Sequence, residues 1–196
     1  MIQLFLSHSK SIKANIVIPF SNDLSLLGLP YWFDRAIISS GDNIYSSIMG
    51  GIDLSSHCIA FIDDTYLHSE WPLRELEFFH EKEIQNRTTL IIPVFCGIRK
   101  ETVYDTVPWL KDRAFEKIEQ NIYKTGERER IVCRIINRLL YELNIDSDIS
   151  VLEQLLLYSP ILPFYNMFNV LYNSKYYLSS DLRLSCIELC NILSLL

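Results

Sequence analysis

Two side chains that could act together, Trp71 and Glu75, lie four residues apart. On a helix, residues at this spacing lie on the same face, one turn from each other. An indole beside a carboxylate forms a site that is partly apolar and partly anionic. Ser69 lies just before them and is a residue type that commonly begins a helix. The spacing therefore predicts a helix that begins near Ser69 and carries Trp71 and Glu75 side by side.

Asp63 and Asp64 offer a different chemistry, since they follow an apolar run at 57–62. An aspartate at that place would suit a phosphate acceptor, but such a site needs acidic residues after the first strand to hold magnesium. That segment reads Ser-His-Ser-Lys at 7–10, so this hypothesis is rejected. The sequence also lacks a P-loop and a GxGxxG turn after its first strand, which argues against nucleotide binding of those kinds. The remaining histidines show no spacing typical of a metal site, so no metal is expected.

The balance of charge argues against nucleic acid as a partner. The 196 residues carry a formal net charge of -6, whereas a nucleic-acid binder needs a basic face to neutralise phosphates. A local basic cluster between Arg128 and Arg138 is interleaved with Glu127 and Glu129, as on a solvated helix face.

Cysteine content and hydropathy bear on the compartment. The five cysteines are odd in number and scattered, and none shows the paired spacing of a zinc site, which indicates buried free thiols. The N-terminal segment lacks the basic and apolar regions of a signal peptide, and no run of about 18 apolar residues occurs. We therefore expect a cytoplasmic protein without a membrane span.

The apolar pattern predicts strands and helices in alternation. Short apolar runs indicate strands, and apolar positions three and four apart indicate helices. The predicted strands are 2–7, 30–34, 57–62, 88–95 and, at the edge of the sheet, 113–117. The predicted helices are 11–27, broken at Pro19, and 44–54, 69–85, 99–111 and 126–143. Such alternation predicts an α/β fold with a doubly wound parallel sheet of about five strands.

A binding site is expected along one rim of this sheet, because ligands of doubly wound folds bind outside the carboxyl ends of the strands. The segments that reach this rim are 7–10, the loop that follows the second strand at 35–43, and 63–71. The helix that carries Glu75 begins at the same rim.

After Asn144 the composition changes, with leucine, tyrosine and asparagine prominent and Pro160 and Pro163 as breaks. An apolar stripe at helical spacing follows, formed by Leu182, Cys186, Leu189, Cys190 and Leu193. We therefore expect two parts, a domain over 1–143 and an α-helical C-terminal appendage over 144–196. The apolar stripe of the appendage is expected to pack on the domain or on a partner.

Four segments, in order, resemble the motifs of the Toll/interleukin-1 receptor (TIR) domain family. They are LFLSHSK at 4–10, YWFDRAIISSGDNI at 31–44, CIAFIDDTYLHSEWPLREL at 58–76 and TTLIIPVF at 88–95. The resemblance covers about residues 1–143 and implies the flavodoxin-like TIR fold. Within this family the chain resembles the bacterial stand-alone type and is similar to the TIR components of Thoeris-like antiphage defence.

The resemblance implies an enzyme. In the enzymes of this family a glutamate four residues after the tryptophan is catalytic, which corresponds to Glu75 here. These enzymes cleave the nicotinamide–ribose bond of NAD by hydrolysis or cyclisation, so NAD is the implied substrate and no separate cofactor is implied. The product would be an ADP-ribose-type signal that acts on a separate effector in antiphage immunity. Self-association through TIR–TIR contacts is implied as well.

The resemblance also indicates which residues bind the substrate. An aromatic residue that stacks near the nicotinamide corresponds to Trp32, and the segment after the first strand meets the nucleotide. The implied substrate-binding residues are Ser7, His8, Ser9, Lys10, Trp32, Ser69 and Trp71. In the loop at 35–43, Gly41 and Asp42 would help to complete the site of a neighbouring molecule.

Other interpretations remain open. Glu75 could be a plain exposed helix residue, Trp32 a core residue, and His8 a loop side chain that hydrogen-bonds rather than acts as a base. The main alternative function is a non-enzymatic TIR adaptor or effector that acts only through TIR–TIR contact. A third is a glycosyl or deoxyribosyl transferase on a related sheet. Glu77 lies about 200° from Glu75 around the helix and is expected on the surface.

Overall fold

The computed structural model describes residues 3–26, 31–33 and 44–119, together with residues 131, 132, 134, 135 and 138. The chain divides into two units, one of residues 1–19 and 30–123 and one of residues 20–29 and 124–196. The sheet belongs to the first unit. The loop predicted at 35–43 and the appendage predicted at 144–196 lie outside the described residues. So does the predicted boundary between the domain and the appendage, at residues 143 and 144.

Five parallel strands form one sheet in the order β2-β1-β3-β4-β5. Their bounds are β1 Leu4–His8, β2 Tyr31–Trp32, β3 His57–Ile62, β4 Ile91–Cys96 and β5 Glu116–Ile118. All six residues of β3 are buried, as is typical of a parallel strand that is covered on both faces. The predicted doubly wound parallel sheet of about five strands is confirmed, with the weak fifth strand at its edge.

Helices connect the strands. They are α1 Ile18–Leu26, α2 Ile44–Leu54, α3 Asp64–Leu67, α4 Glu70–Asn86 and α5 Lys100–Thr106. A π-helical turn, Lys13–Val17, precedes α1, and a 3-10 turn, Pro108–Asp112, follows α5. Of the last predicted helix, at 126–143, the structure describes five residues, and all five are helical.

Proline accounts for two places where the observed helices differ from the predicted ones. Pro19 has no backbone N–H to donate, and the turn before it widens into the π-helical turn instead of continuing a regular α-helix. Pro108 also lacks this donor, and there the chain changes from α5 to the 3-10 turn. The helix predicted at 99–111 is therefore two short helical segments.

α3 is an element that no periodic apolar pattern predicts. Four residues are too few to show helical periodicity, so the segment reads only as the end of an apolar run. Asp63 caps this helix, since one of its carboxylate oxygens accepts a hydrogen bond from the backbone N–H of Tyr66 at 2.9 Å. The cap holds Tyr66 next to the first turn of α4.

The core under α4 includes the sheet face that leads to the site. Phe5 of β1 contacts Phe79 of α4 and Trp32 of β2, with ring centroids 5.2 and 4.6 Å apart. Successive residues of a strand point to opposite faces, so Ser7 lies on the same face as Phe5, two positions further along. The sheet therefore presents Ser7 to the helix that carries Glu75.

The described residues also bear on the expectations about thiols and membranes. Cys58 and Cys96 are buried and free, as expected for core thiols. Burial raises the pKa of the Cys58 thiol well above its usual value, which keeps it protonated and unreactive. Within the ranges that the structure describes, no helix has the length and apolar character needed to cross a membrane.

Candidate active site

A cavity of about 570 Å³ opens where β1 ends and α4 begins. Its wall is formed by Leu6, His8, Lys10, Lys13, Trp32, Ile48, Ser69, Glu70, Trp71, Pro72 and Glu75. The wall thus combines two indoles, two lysines and two carboxylates. Six of the residues predicted from the sequence lie on it: His8, Lys10, Trp32, Ser69, Trp71 and Glu75. Gly41 and Asp42 fall outside the described residues.

The Glu75 carboxylate is held from the sheet side by Ser7. The Ser7 hydroxyl donates a hydrogen bond to Glu75 Oε2, with an oxygen–oxygen distance of 2.6 Å. Hydroxyl-to-carboxylate bonds of this length are charge-assisted and stronger than neutral ones. Ser7 is only 1% exposed and does not form part of the cavity wall. Its hydroxyl therefore contacts the carboxylate rather than the cavity.

Tyr66 extends this contact, and nothing in the sequence singled it out. Its hydroxyl lies 2.9 Å from Ser7 Oγ and donates to the backbone carbonyl of Pro72, also at 2.9 Å. The side chain is fully buried, and burial raises the pKa of the Tyr66 phenol well above its usual value. In the sequence Tyr66 resembles any aromatic core residue. The hydroxyl of a buried tyrosine needs a hydrogen-bond partner, and this need is the signal that could have pointed to a polar contact of Tyr66.

Trp32 packs in the core and also forms part of the cavity wall. One face of the indole stacks on Phe5 in the core, at 4.6 Å and an interplanar angle of 20°. The ring also lies against α2 at Gly51, where a Cβ atom would come within 2.8 Å of two indole carbons. The indole is partly exposed and forms part of the cavity wall. Packing therefore fixes an aromatic surface at the site.

The first turn of α4 contributes Trp71, Ser69 and Glu70 to the wall. The Arg74 guanidinium lies 5.5 Å from the Trp71 ring centroid and pairs with Glu70 at 2.9 Å. Ser69 occupies the N-cap position of α4, as predicted, but its side chain makes no capping bond to the helix. Its hydroxyl donates instead to the Thr65 carbonyl at 2.6 Å, which links α4 to α3.

The segment after β1 supplies positive charge to the wall. Lys10 lies there as predicted, and Lys13, which the sequence reasoning missed, joins it from the π-helical turn. Lys13 lies three residues after Lys10, and residues at this spacing lie on the same side of a helical turn. A helical turn directly after β1 could therefore have indicated that Lys13 reaches the same site as Lys10. His8 is held by its Nδ1, 3.1 Å from the Leu6 carbonyl oxygen. Burial lowers the pKa of His8, so the imidazole is neutral at neutral pH and the lysines carry the charge.

Ser9 has a structural contact rather than a place on the wall. It is 1% exposed, and its hydroxyl lies 2.8 Å from that of Ser11, which donates in turn to Asp63 Oδ2. The other oxygen of Asp63 caps α3. Both oxygens of Asp63 are thus occupied by hydrogen bonds. Among the residues that the structure describes, no three His, Cys, Asp or Glu side chains cluster as they would around a metal ion.

The chain is similar to proteins of one known family. The model of the TIR domain family matches residues 4–132. The chain is 30% identical to the NAD(+) hydrolase TcpA of Theionarchaea archaeon, over 66% of this chain and 39% of that protein. It is 24% identical to the NAD(+) hydrolase TcpC of Escherichia coli, over 68% of this chain and 43% of that protein. It is 28% identical to the 2' cyclic ADP-D-ribose synthase AbTIR of Acinetobacter baumannii, over 56% of this chain and 40% of that protein.

These alignments cover about two fifths of each relative's own length. The family match covers the sheet and the helices that surround the cavity, since it begins at the first residue of β1 and extends beyond β5. Motif order, strand order and the family match all point to the same conclusion: the chain belongs to the TIR domain family.

Proposed function

We propose that this protein cleaves the bond between nicotinamide and ribose in NAD, with Glu75 as the catalytic carboxylate. The observation that carries the proposal is the position of Glu75. Its carboxylate lies on the wall of the cavity, held by Ser7 and accompanied by Trp71 from the same helix face. The names of the three relatives, two NAD(+) hydrolases and a cyclic ADP-ribose synthase, support the same reaction class.

One carboxylate is sufficient for this reaction. As the C1'–N bond breaks, its electron pair moves to the ring nitrogen, and the positively charged pyridinium leaves as neutral nicotinamide. No acid is needed to protonate the leaving group, unlike in ordinary glycoside hydrolysis. The ribose passes through an oxocarbenium-like state, and the anion of Glu75 stabilises the positive charge that develops there. Attack on C1' by water gives ADP-ribose and a proton, and attack by a hydroxyl of the same molecule gives a cyclic product.

The remaining wall fits the other parts of NAD. The indoles of Trp32 and Trp71 offer flat apolar surfaces for the nicotinamide ring and the ribose. Lys10 and Lys13 offer positive charge for the diphosphate. The cavity volume of about 570 Å³ lies within the range usual for small-molecule sites. No cofactor takes part in this proposal.

The biological role that we propose is antiphage signalling in the cytoplasm. The product would be a linear or cyclic ADP-ribose-type nucleotide that activates a separate effector. Self-association through TIR–TIR contacts would bring the loop at 35–43, with Gly41 and Asp42, to the site of a neighbouring molecule. The support for this part is the likeness of the four sequence motifs to bacterial stand-alone TIR proteins.

The test is the substitution Glu75→Gln. It keeps the shape and hydrogen-bonding capacity of the side chain and removes the charge that the transition state needs. The rate of NAD consumption should fall by about 10²–10³-fold, the usual cost of losing one preorganised group. The thermal melt should stay close to that of wild type, because Glu75 is only partly buried.

Glu77→Gln is the matched control, since Glu77 is exposed, two positions along the same helix, and not on the cavity wall. It should consume NAD at the wild-type rate, with products followed by mass spectrometry. Equal rates for wild type and Glu75→Gln would show that Glu75 is not catalytic. If the wild-type protein leaves NAD intact at high concentration and under crowding, the proposed enzymatic function is wrong and the non-enzymatic adaptor function is favoured.

A further inference from the structure

The Glu75 carboxylate is linked to two other elements through a short path of hydroxyl groups. Ser7 Oγ, at the carboxyl end of β1, lies 2.6 Å from Glu75 Oε2 and 2.9 Å from the Tyr66 hydroxyl oxygen. The Tyr66 hydroxyl, from α3, reaches the Pro72 carbonyl in the first turn of α4. The path begins and ends on α4 and crosses β1 and α3. It therefore fixes the helix that carries Glu75 relative to the strand beneath it.

Neither hydroxyl is placed to contact a ligand directly. Ser7 is 1% exposed, Tyr66 is fully buried, and neither belongs to the cavity wall. They therefore act on the cavity through the groups that they hold, which are the Glu75 carboxylate and the Pro72 carbonyl in the first turn of α4. This separates them from Ser69 and Trp71, which form part of the wall.

Counting hydrogens assigns the direction of these bonds. An ionised carboxylate can only accept, so the single hydroxyl hydrogen of Ser7 goes to Glu75. Tyr66 is then the donor in its own contacts, and its single hydrogen is shared between the Pro72 carbonyl and Ser7 Oγ. Ser7 thus needs one particular rotamer to donate to Glu75 while it lies against the Tyr66 hydroxyl. Linked hydroxyls of this kind polarise one another and hold a rotamer more firmly than a single bond does.

We propose that Ser7 and Tyr66 are positioning residues for the Glu75 carboxylate, with Ser7 holding Oε2 and Tyr66 holding Ser7 and the first turn of α4. This inference rests on the proposed function of Glu75. A carboxylate that is fixed before the substrate arrives stabilises the transition state without a reorganisation cost. The two residues therefore affect the chemical step more than substrate binding.

The first experiment measures the kinetics of Ser7→Ala and Tyr66→Phe. In Ser7→Ala we expect kcat to fall by about tenfold, the usual effect of losing a hydrogen bond to a charged group, with KM for NAD changed by less than about twofold. In Tyr66→Phe, which keeps the ring in its place, the same pattern is expected with a fall of about threefold. Tyr104→Phe is the control, since Tyr104 packs against Phe95 away from the cavity, and it should behave as wild type.

The double variant shows whether the two hydroxyls act in series. The part of the Tyr66 effect that passes through Ser7 is already lost in Ser7→Ala, so the two substitutions together should lower kcat by less than the product of their separate effects. Independent structural roles would instead multiply the two effects. Thermal melts of all variants identify any loss of activity that follows only from a loss of folded protein.

The second experiment follows the charge on Glu75 itself and needs no enzymatic activity. The Glu75 side-chain carboxyl, labelled with carbon-13 and assigned by its absence in Glu75→Gln, is titrated by NMR in wild type and in Ser7→Ala. A donor stabilises the ionised form, so without Ser7 the carboxylate should take up its proton at higher pH, and the acid limb of kcat should move the same way. The other ionisable groups that face Glu75 are unchanged in this variant: His8, Lys10, Lys13, Cys58, Tyr66 and Glu70.

The outcomes separate this inference from the proposed function. If Glu75→Gln is inactive but Ser7→Ala shifts neither the titration of Glu75 nor the acid limb, the positioning role is wrong and the catalytic role stands. If wild type does not consume NAD, the proposed function fails, and the NMR titration still decides whether Ser7 holds the carboxylate. Multiplicative effects in the double variant would contradict the series arrangement.

Discussion

At the scale of single residues, the positive charge of the cavity comes from two lysines. Lys10 and Lys13 lie on the wall, while His8 is neutral at neutral pH because its burial lowers the pKa of the imidazole. The Nδ1 of His8 is occupied by the Leu6 carbonyl. The lysines therefore remain as the groups from the β1 side that could bind an anion. In the proposed function this anion is the diphosphate of NAD.

We expect Lys13→Met to raise KM for NAD by about tenfold, since a bond between charged groups is lost. The same variant should cleave nicotinamide riboside, which has no diphosphate, as well as wild type does. Steady-state kinetics with the two substrates give both values. Lys111→Met is the control, because Lys111 is exposed and not on the cavity wall. An equal loss with both substrates would mean that Lys13 does not act through the phosphates.

At the scale of elements, α2 sets the position of the aromatic wall. Trp32 lies in β2, which has only two residues, so the strand alone holds it weakly. The ring is held between Phe5 of β1 and the backbone of α2 at Gly51. A glycine is required at this point because any Cβ atom would lie 2.8 Å from the indole. The neighbouring Gly50 has open space around it.

The two adjacent glycines give opposite predictions. Gly51→Ala should lower the free energy of unfolding by about 1–3 kcal/mol through overpacking and should also reduce kcat/KM for NAD, because Trp32 must move. Gly50→Ala should raise the free energy of unfolding by up to about 1 kcal/mol, since alanine favours a helix, with activity unchanged. Denaturant unfolding and the NAD assay measure both. Equal stabilisation by the two variants would show that Trp32 is not held against α2.

At the scale of the whole sheet unit, a buried ion pair ties the far end of α4 to β4 and to the segment before β5. Glu83 is 4% exposed, and Arg113 donates to both of its oxygens, to Oε1 at 2.7 Å and to Oε2 at 2.5 Å. Oε1 also accepts the backbone N–H groups of Leu90 and Ile91, at 2.7 and 2.8 Å. Burial alone would raise the pKa of Glu83, but these bonds outweigh it and the pKa is lowered below its usual 4.5.

Glu83→Gln should therefore lower the free energy of unfolding by about 2 kcal/mol at neutral pH. A carboxyl whose pKa is lowered in the folded state contributes its full stability above the unfolded value of 4.5 and loses it as the pH falls through the folded value. The difference in the free energy of unfolding between wild type and Glu83→Gln should therefore become smaller in that acid range. Glu119→Gln, which alters an exposed ion pair, should cost less than about 0.5 kcal/mol. A difference that does not change with pH would contradict this assignment.

Much of the fold could be predicted from local sequence because the signals are local. The bounds of β3 agree with the predicted 57–62, since the five consecutive apolar residues that follow His57 are typical of a strand that is covered on both faces. The pairing of Trp71 and Glu75 follows from the pitch of a helix. The apolar pattern that predicts a strand at 113–117 is weak. The observed β5 lies at the edge of the sheet, where one side of the strand needs no partner strand. These features depend on residues that are neighbours along the chain.

The contacts that surround Glu75 were decided by the tertiary structure. Ser7 and Glu75 are 68 positions apart, and Ser7 and Tyr66 are 59 apart. They meet because Ser7 pairs with Ala60 in the register of β1 and β3, and because Asp63 caps a helix too short to predict. The family motifs therefore predicted that Glu75, Trp32 and Trp71 belong to one site, and all three lie on the cavity wall. Only strand register and packing determined that Ser7 faces the carboxylate, that Lys13 joins the wall and that Gly51 fixes Trp32, because these depend on distances through space.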